Sequence, residues 1–141
     1  MLLRLTKDFV FEMAHALPGY EGKCRNIHGH SYHLSVTVEG IPLSQPDAPD
    51  DGMVLDFHQL KQIVTQHIVE PFDHALVLPR TAQSIDLGPY GAKLIPLDCQ
   101  PTTENLLLHF ARLLDGTLPA GVRLHSLRLS ETETSTAELI C

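Results

Sequence analysis

The sequence contains no tryptophan and only three cysteines. Cys24, Cys99 and Cys141 cannot all pair within one chain, and no two of them have the CxxC spacing. These features argue against a disulfide framework and favour a reduced protein, so we expect a cytoplasmic location. No apolar run approaches the ~20 residues that a bilayer crossing needs, and the first residues lack the apolar stretch of a signal peptide. We therefore expect neither membrane insertion nor secretion.

Positive charge is also scarce in this sequence. Ten Lys and Arg residues stand against 17 Asp and Glu residues, which gives a formal net charge of −7. A broad nucleic-acid-binding surface is therefore not expected. Hydrophobic residues make up 43% of the chain and charged residues 19%, values that exclude a disordered protein. A length of 141 residues predicts a single domain spanning residues 1–141.

Alternating apolar residues predict two long strands near the start of the chain. In the first strand the alternating positions are Leu3, Leu5, Phe9, Phe11 and Met13. His15 has the same parity, so its ring is expected on the buried face. The second strand runs from about residue 28 to 39, and its apolar face is extended by His28 and His30. We expect these strands to form an antiparallel pair joined by a wide loop.

Two helices and a C-terminal hairpin are predicted for the rest of the chain. Asp56 is a candidate N-cap for a helix that Pro71 is expected to end. A second helix begins within residues 101–105 and stops at Gly116. The remaining predicted strands cover residues 75–78, 94–97, 122–130 and 136–140. A shift of apolar parity within 124–127 predicts a β-bulge, and the order ββ–α–(short β)–α–ββ indicates an α+β fold.

Three of the nine histidines form a candidate metal site. His28 and His30 are two residues apart in an extended segment, so their rings project from the same face. If the first strand pairs alongside, His15 presents a third imidazole to the same point. Three neutral imidazoles suffice for Zn²⁺ and leave a fourth position open, as in catalytic zinc sites. Two-residue HxH motifs also occur by chance, and ordinary half-buried histidines are the alternative.

Four further residues are candidates for proton transfer or binding. Cys24 precedes His28 by four residues, and its basic neighbours and a nearby dication favour the thiolate, a usable proton acceptor. Asp73 and His74 follow the first predicted helix, and a carboxylate beside an imidazole fixes its tautomer if the chain turns there. Glu131 ends a predicted strand. Taken singly, each is also compatible with an ordinary loop or surface role.

Together these pieces resemble the 6-pyruvoyl-tetrahydropterin synthase and 6-carboxy-tetrahydropterin synthase family. The matching segments are FEMAH at 11–15, GKCRNIHGH at 22–30, GMVLDF at 52–57, FDH at 72–74, PTTEN at 101–105 and SET at 130–132. They occur in the family's order and span almost the whole chain. The resemblance implies the tunnelling fold, with a four-stranded antiparallel sheet and two helices on one face (ββααββ). It also implies a homo-oligomeric barrel, usually a hexamer formed as a dimer of trimers, with active sites between subunits.

The resemblance also implies roles for individual residues. The zinc ligands would be His15, His28 and His30. The general base would be Cys24, with Asp73 and His74 as its catalytic partners. Glu131 would anchor the pterin through two hydrogen bonds to its 2-amino and N3–H groups, and Thr102 and Thr103 would contribute to the pterin pocket.

The spacing Cys-x-x-x-His-Gly-His resembles the bacterial 6-carboxy-tetrahydropterin synthases of the 7-deazaguanine (queuosine) pathway. This implies conversion of 7,8-dihydroneopterin triphosphate to 6-carboxy-5,6,7,8-tetrahydropterin, with release of acetaldehyde and triphosphate. A 6-pyruvoyl-tetrahydropterin synthase and a non-catalytic zinc or pterin-binding module are the alternatives. Ala16 replaces a basic residue common in relatives, so the triphosphate contacts stay open among Lys7, Lys23, Arg25 and Lys93.

Overall fold

The computed structural model describes residues 1–82, 85–91 and 93–141. Its strands and helices along the chain are β1 (Leu3–His15), β2 (His28–Gly40), α1 (Phe57–Val64), α2 (Glu70–Phe72), β3 (Ala75–Pro79), β4 (Leu94–Leu97), α3 (Thr103–Leu114), β5 (Val122–Ser130) and β6 (Thr136–Ile140). None of the helices in these ranges is long and apolar enough to cross a membrane.

The long antiparallel pair predicted at the start of the chain is confirmed. β1 and β2 pair over their whole lengths, from Leu3 opposite Gly40 to His15 opposite His28. On the face predicted to point inward, Phe9, Phe11 and Met13 of β1 are buried, as are Tyr32, Leu34, Val36 and Val38 of β2. Leu5 is half-buried and Leu3 is exposed, so the predicted burial fails at the start of β1. The pair therefore buries one face and ends at the histidines.

The C-terminal hairpin and its bulge are also confirmed. β5 pairs antiparallel with β2 and with β6. Thr37 lies opposite Ser126, whereas Val38 lies opposite Leu124, so His125 is the extra residue of the bulge. The bulge restores the inward parity, since Leu127 and Leu129 are fully buried.

The sheet is wider than the predicted four antiparallel strands. β3 pairs parallel with β1, and β4 pairs parallel with β3, giving the order β4-β3-β1-β2-β5-β6 in the described residues. The four-stranded antiparallel unit is present as β1, β2, β5 and β6. The α+β class is confirmed, but the sheet is mixed because the chain returns through a helical segment between β2 and β3.

The first helical segment begins as predicted and ends one residue later. The Asp56 carboxylate accepts a hydrogen bond from the His58 backbone N–H (2.7 Å), which caps α1. A π-helical turn, Thr65–Val69, then leads into α2, which contains Pro71. A regular α-helix would bring the proline ring against the carbonyl four residues earlier, and the wider turn relieves this clash.

The helices cover one face of the sheet and complete the core. From the first helical segment Leu60, Val64 and Ile68 are fully buried, and from α3 Leu106 and Phe110. Phe110 makes edge contacts with Phe11 of β1 and with Phe72 of α2. This packing fixes α3 against the sheet, so its N-terminus lies near the ends of β1, β2 and β5, where the site forms.

Candidate active site

Three imidazoles converge at the end of the β1–β2 pair. The ring centres of His15 and His28 are 4.5 Å apart, those of His28 and His30 are 4.9 Å apart, and those of His15 and His30 are 5.2 Å apart. One nitrogen from each ring lies within 4.8 Å of the other two. The register explains this convergence, since His15 lies directly opposite His28 and His30 is the next inward residue of β2.

Backbone carbonyls fix the tautomers of two of these rings. His15 Nδ1–H donates to the Pro101 carbonyl (2.8 Å), and His28 Nδ1–H donates to the Asn26 carbonyl (2.7 Å). In the neutral rings both Nε2 atoms therefore carry lone pairs, yet these atoms face each other at 3.0 Å. His30 Nε2 is buried without a hydrogen-bond partner among the described residues. Three lone pairs aimed at one point fit a divalent cation.

The surroundings of the histidines favour the uncharged form that ligates metals. Burial lowers the pKa of His15 and that of His30. Tyr32 lies beneath the rings, with edge contacts to both His15 and His30, and stacks on Phe11. Burial raises the pKa of Tyr32 well above its usual range, so the phenol stays protonated and contributes packing rather than a ligand. Neutral nitrogen donors on rigid strands suit Zn²⁺.

His15, His28 and His30 are the candidate metal triad, and one pocket of about 310 Å³ connects its His15 to most of the other candidates. The candidate residues that line it are His15, Cys24, Thr102, Thr103 and Glu131. Thr102 caps α3 by accepting a hydrogen bond from the Asn105 N–H, which places Thr103 in the first turn. Thr103 Oγ1–H donates to Glu131 Oε2 (2.8 Å) and so orients the carboxylate in the pocket. The pocket thus combines a thiol, an oriented carboxylate and one imidazole of the metal triad, that of His15.

Asp73 and His74 do not line the pocket that contains Cys24 and Glu131. They form a hydrogen-bonded pair, with Asp73 Oδ2 and His74 Nδ1 3.0 Å apart. His74 lines a separate depression of about 360 Å³, together with Glu12, His30 and Ser31. The structure therefore does not bring His74 and Cys24 to the same pocket of one chain.

The Asp73–His74 pair is held to β1. Glu12 N–H donates to Asp73 Oδ1 (2.9 Å), and His74 N–H donates to the Glu12 carbonyl (2.6 Å). The bond from the Glu12 amide is the main cause that lowers the pKa of Asp73, and His74 contributes to the same shift. The ionised Asp73 carboxylate can therefore accept hydrogen bonds from both the Glu12 N–H and His74 Nδ1–H, and the second bond fixes the tautomer of His74.

The sequence of this chain is similar to known proteins over almost its whole length. A family profile described as 6-pyruvoyl tetrahydropterin synthase matches residues 4–140. The chain belongs to the 6-pyruvoyl tetrahydropterin synthase family. A relative named 6-carboxy-5,6,7,8-tetrahydropterin synthase, from Haemophilus influenzae, is 35% identical over 97% of this chain and 98% of its own. A relative of the same name from Synechocystis is also 35% identical, over 93% of this chain and 88% of its own.

Two solved structures share the fold of this chain. The 6-pyruvoyl tetrahydropterin synthase of Caenorhabditis elegans superposes with a TM-score of 0.71 at 20% identity, covering 100% of this chain and 96% of its own. An uncharacterized protein from Wolinella succinogenes gives a TM-score of 0.77 at 20% identity, covering 99% and 98% of the two chains. The tunnelling fold implied by the sequence resemblance is therefore confirmed.

Several contributors to the site could not be found from sequence patterns. The carbonyls of Asn26 and Pro101 belong to the backbone and leave no signal in residue identity. Tyr32 was predicted on the same face of β2 as His28 and His30, but its edge contacts with the imidazoles were not. Tyr20 forms another wall of the pocket from the wide loop, where no periodicity marks it.

Proposed function

We propose that this chain is a zinc-dependent 6-carboxy-5,6,7,8-tetrahydropterin synthase. Its substrate would be 7,8-dihydroneopterin triphosphate, which with water yields the carboxy product, acetaldehyde and triphosphate. The observation that carries the proposal is the pocket that combines His15 of the metal triad with Cys24 and Glu131. The full-length relatives that bear the carboxy-synthase name support this branch of the family.

The residues present fit the proposed metal. His15, His28 and His30 would hold Zn²⁺ through nitrogens, with a position left for a substrate oxygen. When bound, zinc supplies Lewis-acid polarisation of the substrate's side-chain hydroxyl groups. The Asn26 and Pro101 carbonyls hold two of the rings in the ligating tautomer, independently of substrate.

Glu131 would bind the pterin ring. A carboxylate can accept two hydrogen bonds from the 2-amino and N3–H groups that lie side by side on a pterin. The hydroxyl of Thr103 donates to one lone pair of Glu131 Oε2 and so fixes the plane of the carboxylate. Thr102, at the same wall of the pocket, would contribute contacts to the ring. This binding would fix the substrate's side chain relative to Cys24.

Cys24 would act as the general base. Its thiolate would take the proton from the first side-chain carbon, whose hydroxyl group would lose its own proton to become a carbonyl, and N5 and C6 of the ring would each receive one proton. The electron pair released by the side chain reduces the C6–N5 bond, so the step is an internal redox reaction and needs no external reductant. Elimination of triphosphate follows, and water-consuming cleavage of the bond between the first two side-chain carbons then releases acetaldehyde.

The second acid–base group would come from a neighbouring copy. His74 and Cys24 line different pockets of one chain, although both residues belong to the sequence motifs of the family. A homo-oligomer with sites between subunits, a hexamer formed as a dimer of trimers, would bring the Asp73–His74 pair of one copy to the Cys24 pocket of another. The reaction would serve 7-deazaguanine synthesis in the cytoplasm, as the sequence resemblance implies.

A product assay tests the proposal. The zinc-loaded protein is incubated with 7,8-dihydroneopterin triphosphate, and products are identified by mass spectrometry. Formation of 6-carboxy-5,6,7,8-tetrahydropterin with acetaldehyde is the expected result. A 6-pyruvoyl product without acetaldehyde would assign the chain to the other branch, and unchanged substrate would leave only a binding function.

A cysteine variant tests the role of the thiol. Cys24→Ala is expected to keep its zinc and lose at least about a hundredfold in kcat, because the proton acceptor is gone. Cys99→Ala, at a free cysteine that does not line the pocket, serves as the control. Equal activity of the two variants would contradict the assignment of Cys24 as the base.

A further inference from the structure

His74 has an unusual backbone conformation. Its φ is +59°, in the left-handed region that residues with a β-carbon disfavour. This conformation turns the chain sharply after α2 and brings the imidazole back to the Asp73 carboxylate. The chain must therefore contain contacts that hold the turn against relaxation.

Lys93 supplies such contacts from outside the turn. Its ammonium donates to the Glu70 carbonyl (2.6 Å) and also to the Asp73 carbonyl. Both carbonyls belong to the C-terminal end of the helical segment, where the helix dipole favours a cation. The Asp73 carbonyl is part of the peptide bond that joins Asp73 to His74, so the contact acts on the turn itself.

Lys93 is itself anchored on the sheet. It lies one residue before β4, and its backbone carbonyl accepts a hydrogen bond from the Leu76 N–H of β3 (2.9 Å). The Lys93 side chain thus connects the β3–β4 pair to the turn that precedes β3. Two of its three ammonium donors are taken by the turn, which argues against the alternative that Lys93 serves mainly as a triphosphate ligand.

We propose that Lys93 is a positioning residue for the Asp73–His74 pair. By holding the Asp73 carbonyl, it keeps His74 in the left-handed conformation in which Asp73 bonds to Nδ1 and leaves Nε2 available for proton transfer. This inference rests on the proposed catalytic role of His74. The hydrogen bonds and the strained backbone that carry it are independent of that role.

The test compares Lys93→Met, which removes the donors and keeps the aliphatic stem, with Lys93→Arg, which keeps a charged donor. Lys61→Met, at an exposed lysine of α1, is the matched control. For Lys93→Met we expect kcat to fall about tenfold while KM and zinc content are unchanged, because both charge-assisted contacts of the ammonium with the turn are lost. Lys93→Arg should recover most of this loss, and Lys61→Met should resemble the unaltered protein.

A second readout separates positioning from catalysis. Proton–nitrogen correlation spectra of the histidine side chains report the tautomer of His74, whose signals are assigned by their absence from His74→Asn. In Lys93→Met these signals should shift toward a mixture of tautomers, while the signals of the metal triad stay in place. An unchanged His74 spectrum would overturn the proposal, and a rise in KM at constant kcat would identify Lys93 as a phosphate contact instead.

The two proposals can fail separately. If His74→Asn retains full kcat, the catalytic role of His74 is wrong, yet the tautomer shift in Lys93→Met still decides whether Lys93 positions the ring. If His74→Asn is inactive and Lys93→Met leaves both the spectrum and kcat unchanged, the catalytic role stands and the positioning role is wrong.

Discussion

Mixed oligomers provide a quantitative test of the shared active site. Cys24 and His74 line different pockets of one chain, so a complete site would take each residue from a different copy. Cys24→Ala and His74→Ala oligomers should each lose at least about a hundredfold in kcat. When the two variant chains are co-expressed and assemble at random in equal amounts, half of the Cys24 positions and half of the His74 positions are intact. About one quarter of the sites should then regain both groups.

The experiment uses two affinity tags, so that only oligomers containing both chains are purified. Activity is expressed per chain, relative to the unaltered protein. As the control, unaltered chains are mixed with the double variant Cys24→Ala/His74→Ala. Sites shared between copies should again give about one quarter of full activity, whereas sites confined to one chain would give about one half. A mixture of the single variants that stays as inactive as its components would refute the shared site.

Two further predictions concern single side chains. Thr103→Val keeps the shape of the residue but removes the hydrogen bond to Glu131, so KM for the pterin substrate should rise about fivefold, corresponding to roughly 1 kcal/mol, with zinc content unchanged. Glu39 is a buried carboxylate bonded by Arg4 and Arg123, and the hydrogen bond from Arg4 is the main cause that lowers its pKa. In Glu39→Gln the free energy of unfolding should therefore fall at neutral pH. The difference from the unaltered protein should shrink as the pH drops below about 4. In that range the carboxylate of the unfolded chain is protonated first, because the pKa of Glu39 is lower in the folded protein.

Each of these predictions has a control and a contradicting result. Thr136→Val, at the same pocket but with its hydroxyl bonded to Ser130, should leave KM unchanged, and an equal effect of both variants would contradict the orienting role of Thr103. For Glu39, chemical denaturation is followed across the acid range. A difference that stays constant from neutral pH to pH ~3 would contradict stabilisation by the ionised carboxylate.

Local patterns were sufficient to predict the part of the fold that carries the histidines. Alternation of apolar residues in β1 and β2 favours one buried face, and this places His15, His28 and His30 together once the two strands pair. The cap at Asp56 and the parity shift at the bulge are likewise local, because each depends on residues close in sequence. These features are determined by side-chain direction, which a sequence displays directly.

Features that depend on distant contacts could not be predicted. The strand at residues 75–78 was predicted, but its parallel pairing with β1, which makes the sheet wider than four strands, leaves no local signal. The contact of Lys93 with the Asp73 carbonyl joins residues 20 positions apart, and neither identity signals it.

Metal analysis combined with X-ray absorption spectroscopy is the most direct test of the site. Freshly purified protein is expected to contain one zinc per chain, with three nitrogen ligands at about 2.0–2.1 Å and one further light atom. Since the three imidazoles already converge on one point, His28→Ala should lose most of the zinc, and His58→Ala, at an exposed histidine of α1, should keep it. A protein without bound metal, or zinc with ligands other than three histidines, would contradict the proposed metal centre.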